Sequence, residues 1–141
     1  MMQLKIVTPD GVVYEDSVDE VVLPTTTGQI GVLPNHTAMV SRLTAGEIEV
    51  KKKGESVGIA VSTGFLEIRP GNEIYIVADT AERAEHIDLE RAEAAHRRAE
   101  ELLRQEHNIE DIEFAKVQAQ IEKEFARLGV AKKYRNIKIS T

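Results

Sequence analysis

The chain has 141 residues, enough for one average domain or two small ones, and with 42% apolar residues it can bury a core. Aromatics make up only 4%, Trp and Cys are absent, and the net charge is −6. The core must therefore be aliphatic; disulfides, thiolate metal sites and thiol catalysis are excluded, and the charge argues against general nucleic-acid binding.

The N-terminus, Met1-Met2-Gln3-Leu4-Lys5, has no apolar run of the signal-peptide type, and no stretch approaches the length of a membrane span. The expectation is a soluble protein that meets a membrane only through a partner. Residues 3–8 predict a first strand, Pro9-Asp10-Gly11 a turn, and residues 12–14 a returning strand. Residues 17–23 read as one strand ending at Pro24, and Thr25-Thr26-Thr27-Gly28 as a polar loop. Residues 30–33 are a short apolar run stopped by Pro34-Asn35. Residues 47–53 alternate, with Ile48 and Val50 on one face and Glu47, Glu49 and Lys51 on the other, as a half-buried strand does. Gly54 turns the chain, and residues 57–61 return. Residues 65–68 and 74–77 flank Arg69-Pro70-Gly71-Asn72, a second hairpin. Many short strands at this spacing predict a sandwich or flattened barrel.

At about residue 80 the pattern changes, and no Gly or Pro follows until Gly129. The division expected is residues 1–80 for the β part and 81–141 for a helical part. Asp88 suits an N-cap, with a first helix running to about Arg104 and a small-residue stripe at Ala92, Ala95, Ala99 and Leu102. Glu106-His107-Asn108 is a polar connection, and Asn108 is a suitable cap for a second helix. That helix places Phe114, Val117, Ile121, Phe125 and Leu128 on one side and is expected to end near Gly129. The two would form an antiparallel hairpin, marginal by itself.

Chemistry-bearing motifs are few. Gly46 to Lys52 lacks the second Gly and the Ser/Thr of a phosphate loop. His36, His86, His96 and His107 make no ligand cluster of the HExxH kind, and no Ser/His/Asp set is legible. An enzyme using His36 would lack a second convergent group. The segment Gly28-Gln29-Ile30-Gly31-Val32-Leu33-Pro34-Asn35-His36 is the densest in special residues, and reads either as a tight loop needing positive φ or as a recognition loop. Arg91 and Arg98 lie two turns apart, with Arg127 and Lys123 able to face them. They would hold a polyphosphate, or else pair on the surface with Glu90, Glu93, Glu100 and Glu101. After Glu124 no acid occurs, while Arg127, Lys132, Lys133, Arg135 and Lys138 are basic. Such a tail suits an acidic partner surface, and equally a helix C-terminus.

Taken together, Thr8-Pro9-Asp10-Gly11, Val22-Leu23-Pro24-Thr25, the 28–36 segment, Ser62-Thr63-Gly64-Phe65-Leu66-Glu67, Pro70-Gly71-Asn72, Ala78-Asp79-Thr80-Ala81 and Ile87-Asp88-Leu89-Glu90-Arg91-Ala92 resemble the epsilon subunit of F-type ATP synthase, called delta in mitochondria. The resemblance spans essentially the whole chain. It implies an α+β protein: an antiparallel β-sandwich of about ten strands followed by a two-helix hairpin.

It further implies a noncatalytic subunit of the central stalk, or rotor, of a proton- or sodium-translocating ATP synthase, peripheral on the cytoplasmic face of the bacterial cell membrane. The β domain would bind the gamma subunit and rest on the c-ring, through Gln29, Ile30, Val32, Leu33 and His36; at Gln29 some relatives carry an acid. The hairpin would extend along gamma to the alpha/beta subunits and inhibit ATP hydrolysis, with Lys132, Lys133 and Arg135 as its basic tail. No cofactor is required, and no metal. A regulatory ATP, with or without Mg, would bind the folded hairpin at positions matching Glu82, Ile87, Asp88, Arg91, Ala92, Arg98, Lys123 and Arg127. Lys123 stands where ATP-binding relatives have Arg, and supplies a point charge without the bidentate fork. The alternative reading is a standalone ATP-sensing binding module.

Overall fold

In the computed structural model, which describes residues 1–105 and 111–139, ten strands precede two helices. The strands are β1 (Met2–Thr8), β2 (Gly11–Val18), β3 (Glu20–Thr25), β4 (Gly28–Val32), β5 (Met39–Leu43), β6 (Gly46–Lys52), β7 (Glu55–Val61), β8 (Gly64–Arg69), β9 (Glu73–Ala78) and β10 (Ala81–Arg83). A single 3-10 turn, Ala84–His86, leads to α1 (Leu89–Gln105) and α2 (Asp111–Ile139). The expected β-sandwich with a helical extension is what the chain forms. The connection around His107 and Asn108 lies outside the described residues.

Alternation builds the sandwich. Met2, Leu4 and Ile6 of β1, Leu66 and Ile68 of β8, and Ile74, Ile76 and Ala78 of β9 all point inward and are buried. They meet Val21, Leu23, Val32, Leu43, Ile48, Val50, Ile59 and Val61 in one aliphatic core. The strand order is β10-β7-β6-β3-β5-β8-β9-β1-β2, with β4 added to β3. Every pair is antiparallel except β1 with β9. The two ends of this path meet. Lys52 of β6 bonds Asp16 of β2 at 2.8 Å, and the Arg83 guanidinium of β10 lies 5.0 Å from the Tyr14 ring centre of β2. The sheet thus curls almost into a barrel and leaves few free edges.

Several boundaries differ from the expectation. Residues 17–23 are two strands, because the chain turns a corner at Asp19. The Asp19 N–H donates to the Lys51 carbonyl at 2.9 Å, and its carboxylate accepts from the Lys53 N–H at 2.8 Å. Pro24 lies inside β3 rather than ending it. It falls between the stretch paired with β6 and the single pair with β5, where no ladder N–H is needed. Strand β5 lacks a strand signature in the sequence, because exposed Val40 and half-buried Met39 break the inward alternation. The short β10 extends the sheet past residue 80, pairing Glu82 with Ala60 of β7. The turn expected at Gly54 also takes in Lys53, read as strand; both residues have positive φ, 50° and 80°, as a two-residue hairpin turn demands.

In the helical part, the Asp88 carboxylate accepts from the Arg91 N–H at 3.1 Å, so Asp88 is the N-cap expected. Ala92 and Ala99 are buried, and α1 lies along α2. The helices run antiparallel: Glu93 meets Lys132 (3.8 Å) and His96 meets Phe125 (ring centres 6.3 Å apart). Helix α2 does not stop at Gly129 but continues ten residues to Ile139. A helical glycine costs roughly 1 kcal/mol, and the buried Val130 and Ala131 just beyond it offset that cost. Nor does the predicted stripe form the buried side. Phe114 and Phe125 are 50% and 70% exposed, while Ala126, Val130 and Ala131 are buried. Small side chains let α2 approach the outer faces of β6 and β7, where Gly58 and Ala60 of β7 are also small.

Candidate functional site

Among the described residues, two polar contacts fasten α2 to the sheet. The first is built on Arg127. Its Nε–H and Nη1–H donate to Glu82 of β10 and to Glu124 one turn earlier, both at 2.8 Å, and Nη2 reaches the second Glu82 oxygen at 3.4 Å. Glu124 is 2% exposed and also accepts from the Gln120 amide at 2.8 Å. Burial works to lower the Arg127 proton affinity, but the carboxylates of Glu82 and Glu124 outweigh it, and the guanidinium is held above its ordinary value. Glu82, Lys123 and Arg127 line one recess of about 230 Å³ with Ala60, Val61, Thr80 and Ala81.

The second contact lies nearer the end of α2. The Tyr134 hydroxyl donates to Glu47 of β6 at 2.8 Å, and Lys133 Nζ donates to both Glu47 oxygens at 3.0 and 3.2 Å. Glu49 stands 3.7 Å from the same ammonium. Burial lowers the Lys133 proton affinity, while Glu47 and Glu49 more than reverse this and leave it raised. The Tyr134 phenol is driven well above its ordinary range by burial first and by Glu47 second.

Of the residues expected to hold ATP, the structure gathers Glu82, Lys123 and Arg127. Ile87 lines a different recess of about 350 Å³, with Arg83, Leu89 and Tyr134. Asp88 is engaged as a cap, and Ala92 is buried at the helix contact. Arg91 and Arg98, seven residues apart and so on one side of α1, are both exposed. Of the basic tail, Lys132 and Lys133 are paired to Glu93 and Glu47 respectively, and Arg135 falls within α2.

The 28–36 segment is strand β4 and the turn after it. Gln29 and Leu33 are exposed and His36 is half-buried, while Ile30, paired with buried Leu23, is half-buried against the core. Val32 is a correction to the partner-facing set: it is 0% exposed and belongs to the core, because it pairs with buried Val21 and alternation turns it inward. The turn is pinned from outside. The Asn35 N–H, at φ 67°, donates to the Asn72 side-chain carbonyl at 2.6 Å. His36 Nδ1–H donates to the Thr37 carbonyl at 2.7 Å.

A third feature was not anticipated. Phe65 of β8, Val77 of β9, Val7 of β1 and Val12 of β2 are successive register partners on the outer face. Phe65, Val77 and Val12 are each more than half exposed, and Val40 of β5, on the same outer face two residues before Phe65's partner Arg42, is 71% exposed. An extra residue at Val13 turns Val12 outward, completing the row. The signal in the sequence was apolar residues at outward positions of strands β8 and β9.

Among the described residues no set of His, Asp or Glu side chains is arranged to hold a metal ion, and no helix is long and apolar enough to cross a membrane. Comparison with known proteins matches residues 1–84 to the family described as "ATP synthase, Delta/Epsilon chain, beta-sandwich domain", and residues 85–132 to "ATP synthase, Delta/Epsilon chain, long alpha-helix domain". The chain is 43% identical over 130 residues to the ATP synthase epsilon chain of Gloeobacter violaceus, covering 92% of this chain and 96% of that one. It is 42% identical over 135 residues to the epsilon chain of Herpetosiphon aurantiacus, covering 96% and 97%. A chain in the Euglena gracilis mitochondrial ATP synthase superposes with a TM-score of 0.72 at 22% identity, covering 86% of this chain and 75% of that one. One in the Tetrahymena thermophila enzyme gives 0.56 at 14%, covering 94% and 95%; at these identities the likeness is one of fold. Matched by family along both its parts and by relatives over nearly its whole length, the chain belongs to the ATP synthase delta/epsilon chain family.

Proposed function

We propose that the chain is a noncatalytic central-stalk subunit of an F-type ATP synthase, peripheral at the cytoplasmic face of a bacterial membrane, whose hairpin is a movable arm that restrains ATP hydrolysis. One observation carries this reading: the sandwich core is complete without the arm. The core cluster is made of strand residues, from Met2 to Ala78. Among the described residues, the buried apolar side chains of the arm are small or short, Ala92, Ala99, Ala126, Val130 and Ala131, and it grips the sheet through ion pairs and one phenol. Its large apolar side chains, Phe114 and Phe125, remain exposed. Such an arm can detach at modest cost while the sandwich stays folded.

The outer face fits the docking role. A row of exposed Phe65, Val77 and Val12 with Val40 is the kind of apolar patch that a partner covers. The gamma subunit would take this face, and the c-ring the end that exposes Gln29 and Leu33, with His36 and the open side of Ile30 beside them. When extended, the basic end of α2 would meet an acidic surface on the alpha/beta subunits.

Regulatory ATP would favour the retracted arm by binding it more tightly than the extended one. Its phosphates would come to Arg127 and Lys123, with Arg91 and Arg98 flanking. Arg127 already gives three of its five N–H groups to Glu82 and Glu124, so a nucleotide phosphate would share the guanidinium with these carboxylates or displace one. The Arg127 contacts hold the retracted arm without nucleotide, and a bound nucleotide would add its own contacts to α1 and α2.

The test is reconstitution of a complex lacking this chain with either the full chain or one ending at Arg83, the last strand residue. Faster hydrolysis with the shortened chain supports the arm's inhibitory role; equal rates reject it.

A further inference from the structure

Gly58 is a glycine without a backbone reason. Its φ is not positive, and it sits inside strand β7, where glycine ordinarily weakens a sheet. The reason lies across the interface: a Cβ at Gly58 would overlap the Tyr134 ring. Its register partner on β6 is Glu49, two residues from Glu47. The seat for the ring and the carboxylates that receive Tyr134 and Lys133 are therefore neighbours on one outer face.

Glu47 and Glu49 occupy alternate positions of β6 on the side opposite the buried Ile48 and Val50. Both side chains are about a quarter exposed, 23% and 25%, so two like charges stand close with limited solvent. Ser56 donates to Glu49 at 3.2 Å, and Tyr134 to Glu47. The countercharge comes from Lys133.

We infer that Glu47 and Glu49 are a built-in competitor for the basic end of α2, and that Tyr134 seated on Gly58 sets the register of this latch. In the retracted arm these carboxylates occupy the cation that would otherwise meet an acidic partner surface. Release of the arm unmasks Lys133 at the moment it becomes able to reach such a surface. The latch is releasable by design of its chemistry: Lys133 is 45% exposed, and ion pairs of that exposure are weak and salt-sensitive. This inference rests on the movable-arm reading and adds the residues that regulate it.

Two measurements on the full chain test it. The first is hydrogen exchange of the α2 amides between Ala126 and Tyr134, with β9 as internal reference. Gly58→Ala, which blocks the seat, and Tyr134→Ala, which empties it without touching the sheet, should each lower α2 protection roughly tenfold and leave β9 unchanged. Unchanged α2 protection in both variants overturns the latch. The second is binding of polyglutamate. The Glu47→Gln, Glu49→Gln double variant should bind it several-fold more tightly than the parent chain, and adding Lys133→Gln should abolish that gain. Equal binding by all three overturns the masking. If both measurements succeed while the variants leave hydrolysis by the assembled complex unaltered, the latch stands and the inhibitory role of the arm fails.

Discussion

Arg127 on α2 and Glu82 on β10 are 45 residues apart in sequence and joined by a two-point hydrogen-bonded ion pair, with the shorter contact at 2.8 Å. That pair ties the last long helix to the last strand of the sandwich. It also keeps a third group, the buried Glu124 carboxylate, compensated.

Removing Arg127 should therefore cost more than an ordinary surface pair. Among the described residues, Arg127→Ala leaves buried Glu124 with Gln120 as its one hydrogen-bond partner, and should weaken docking of the arm by about 3 kcal/mol. Calorimetry should show an earlier, separate transition for the helices, with the sandwich transition in place.

The sandwich itself responds to core volume. Ile76 is fully buried at the centre of β9. Ile76→Ala should destabilise the β domain by roughly 2–5 kcal/mol, as read from the shift in urea midpoint. Phe65→Ser should behave oppositely: at 54% exposure it should change stability by less than about 0.5 kcal/mol but weaken association with the gamma subunit, measured by co-purification.

Alkaline pH should loosen the arm. The Tyr134 phenol and the Lys133 ammonium are both held above their ordinary values in the docked state. A raised value means the docked form favours the protonated group. The contribution is complete below about pH 10, the ordinary value for both groups, and is lost as pH rises beyond it. Protection of α2 should fall above that pH in the parent chain, and less steeply in Tyr134→Phe.

Asn72 should matter for the turn after β4. Its side chain is the acceptor for the Asn35 N–H. Asn72→Ala should cost about 1 kcal/mol and broaden the NMR signals of Asn35 and His36, while the distant α2 signals stay put.

What could be read in advance follows physical lines. Strands with a clean inward alternation, such as Met2, Leu4 and Ile6 or Ile74 and Ile76, were legible. Strand β5 was not, because Val40 is apolar and faces outward, serving a surface instead of the core. Asp88 was legible as a cap because capping is local. The second helix was misjudged at both its end and its face, since contact with Gly58 and Ala60 of β7 selects small side chains and carries the helix past Gly129. Glu82, Lys123 and Arg127 were foreseen as one group by resemblance; that Glu82 and Glu124 would neutralise Arg127 depends on β10, a strand too short to announce itself. Glu47 and Tyr134 lie 87 residues apart, and nothing local to either marks the other.

The central claim is that the arm leaves the sheet when hydrolysis is restrained. It is tested most directly by energy transfer between dyes at Glu55→Cys, on exposed β7, and Glu122→Cys, on exposed α2, within the assembled complex. High transfer when ATP is abundant and low transfer in the restrained state is the predicted result. Transfer that stays high while hydrolysis is restrained would contradict it.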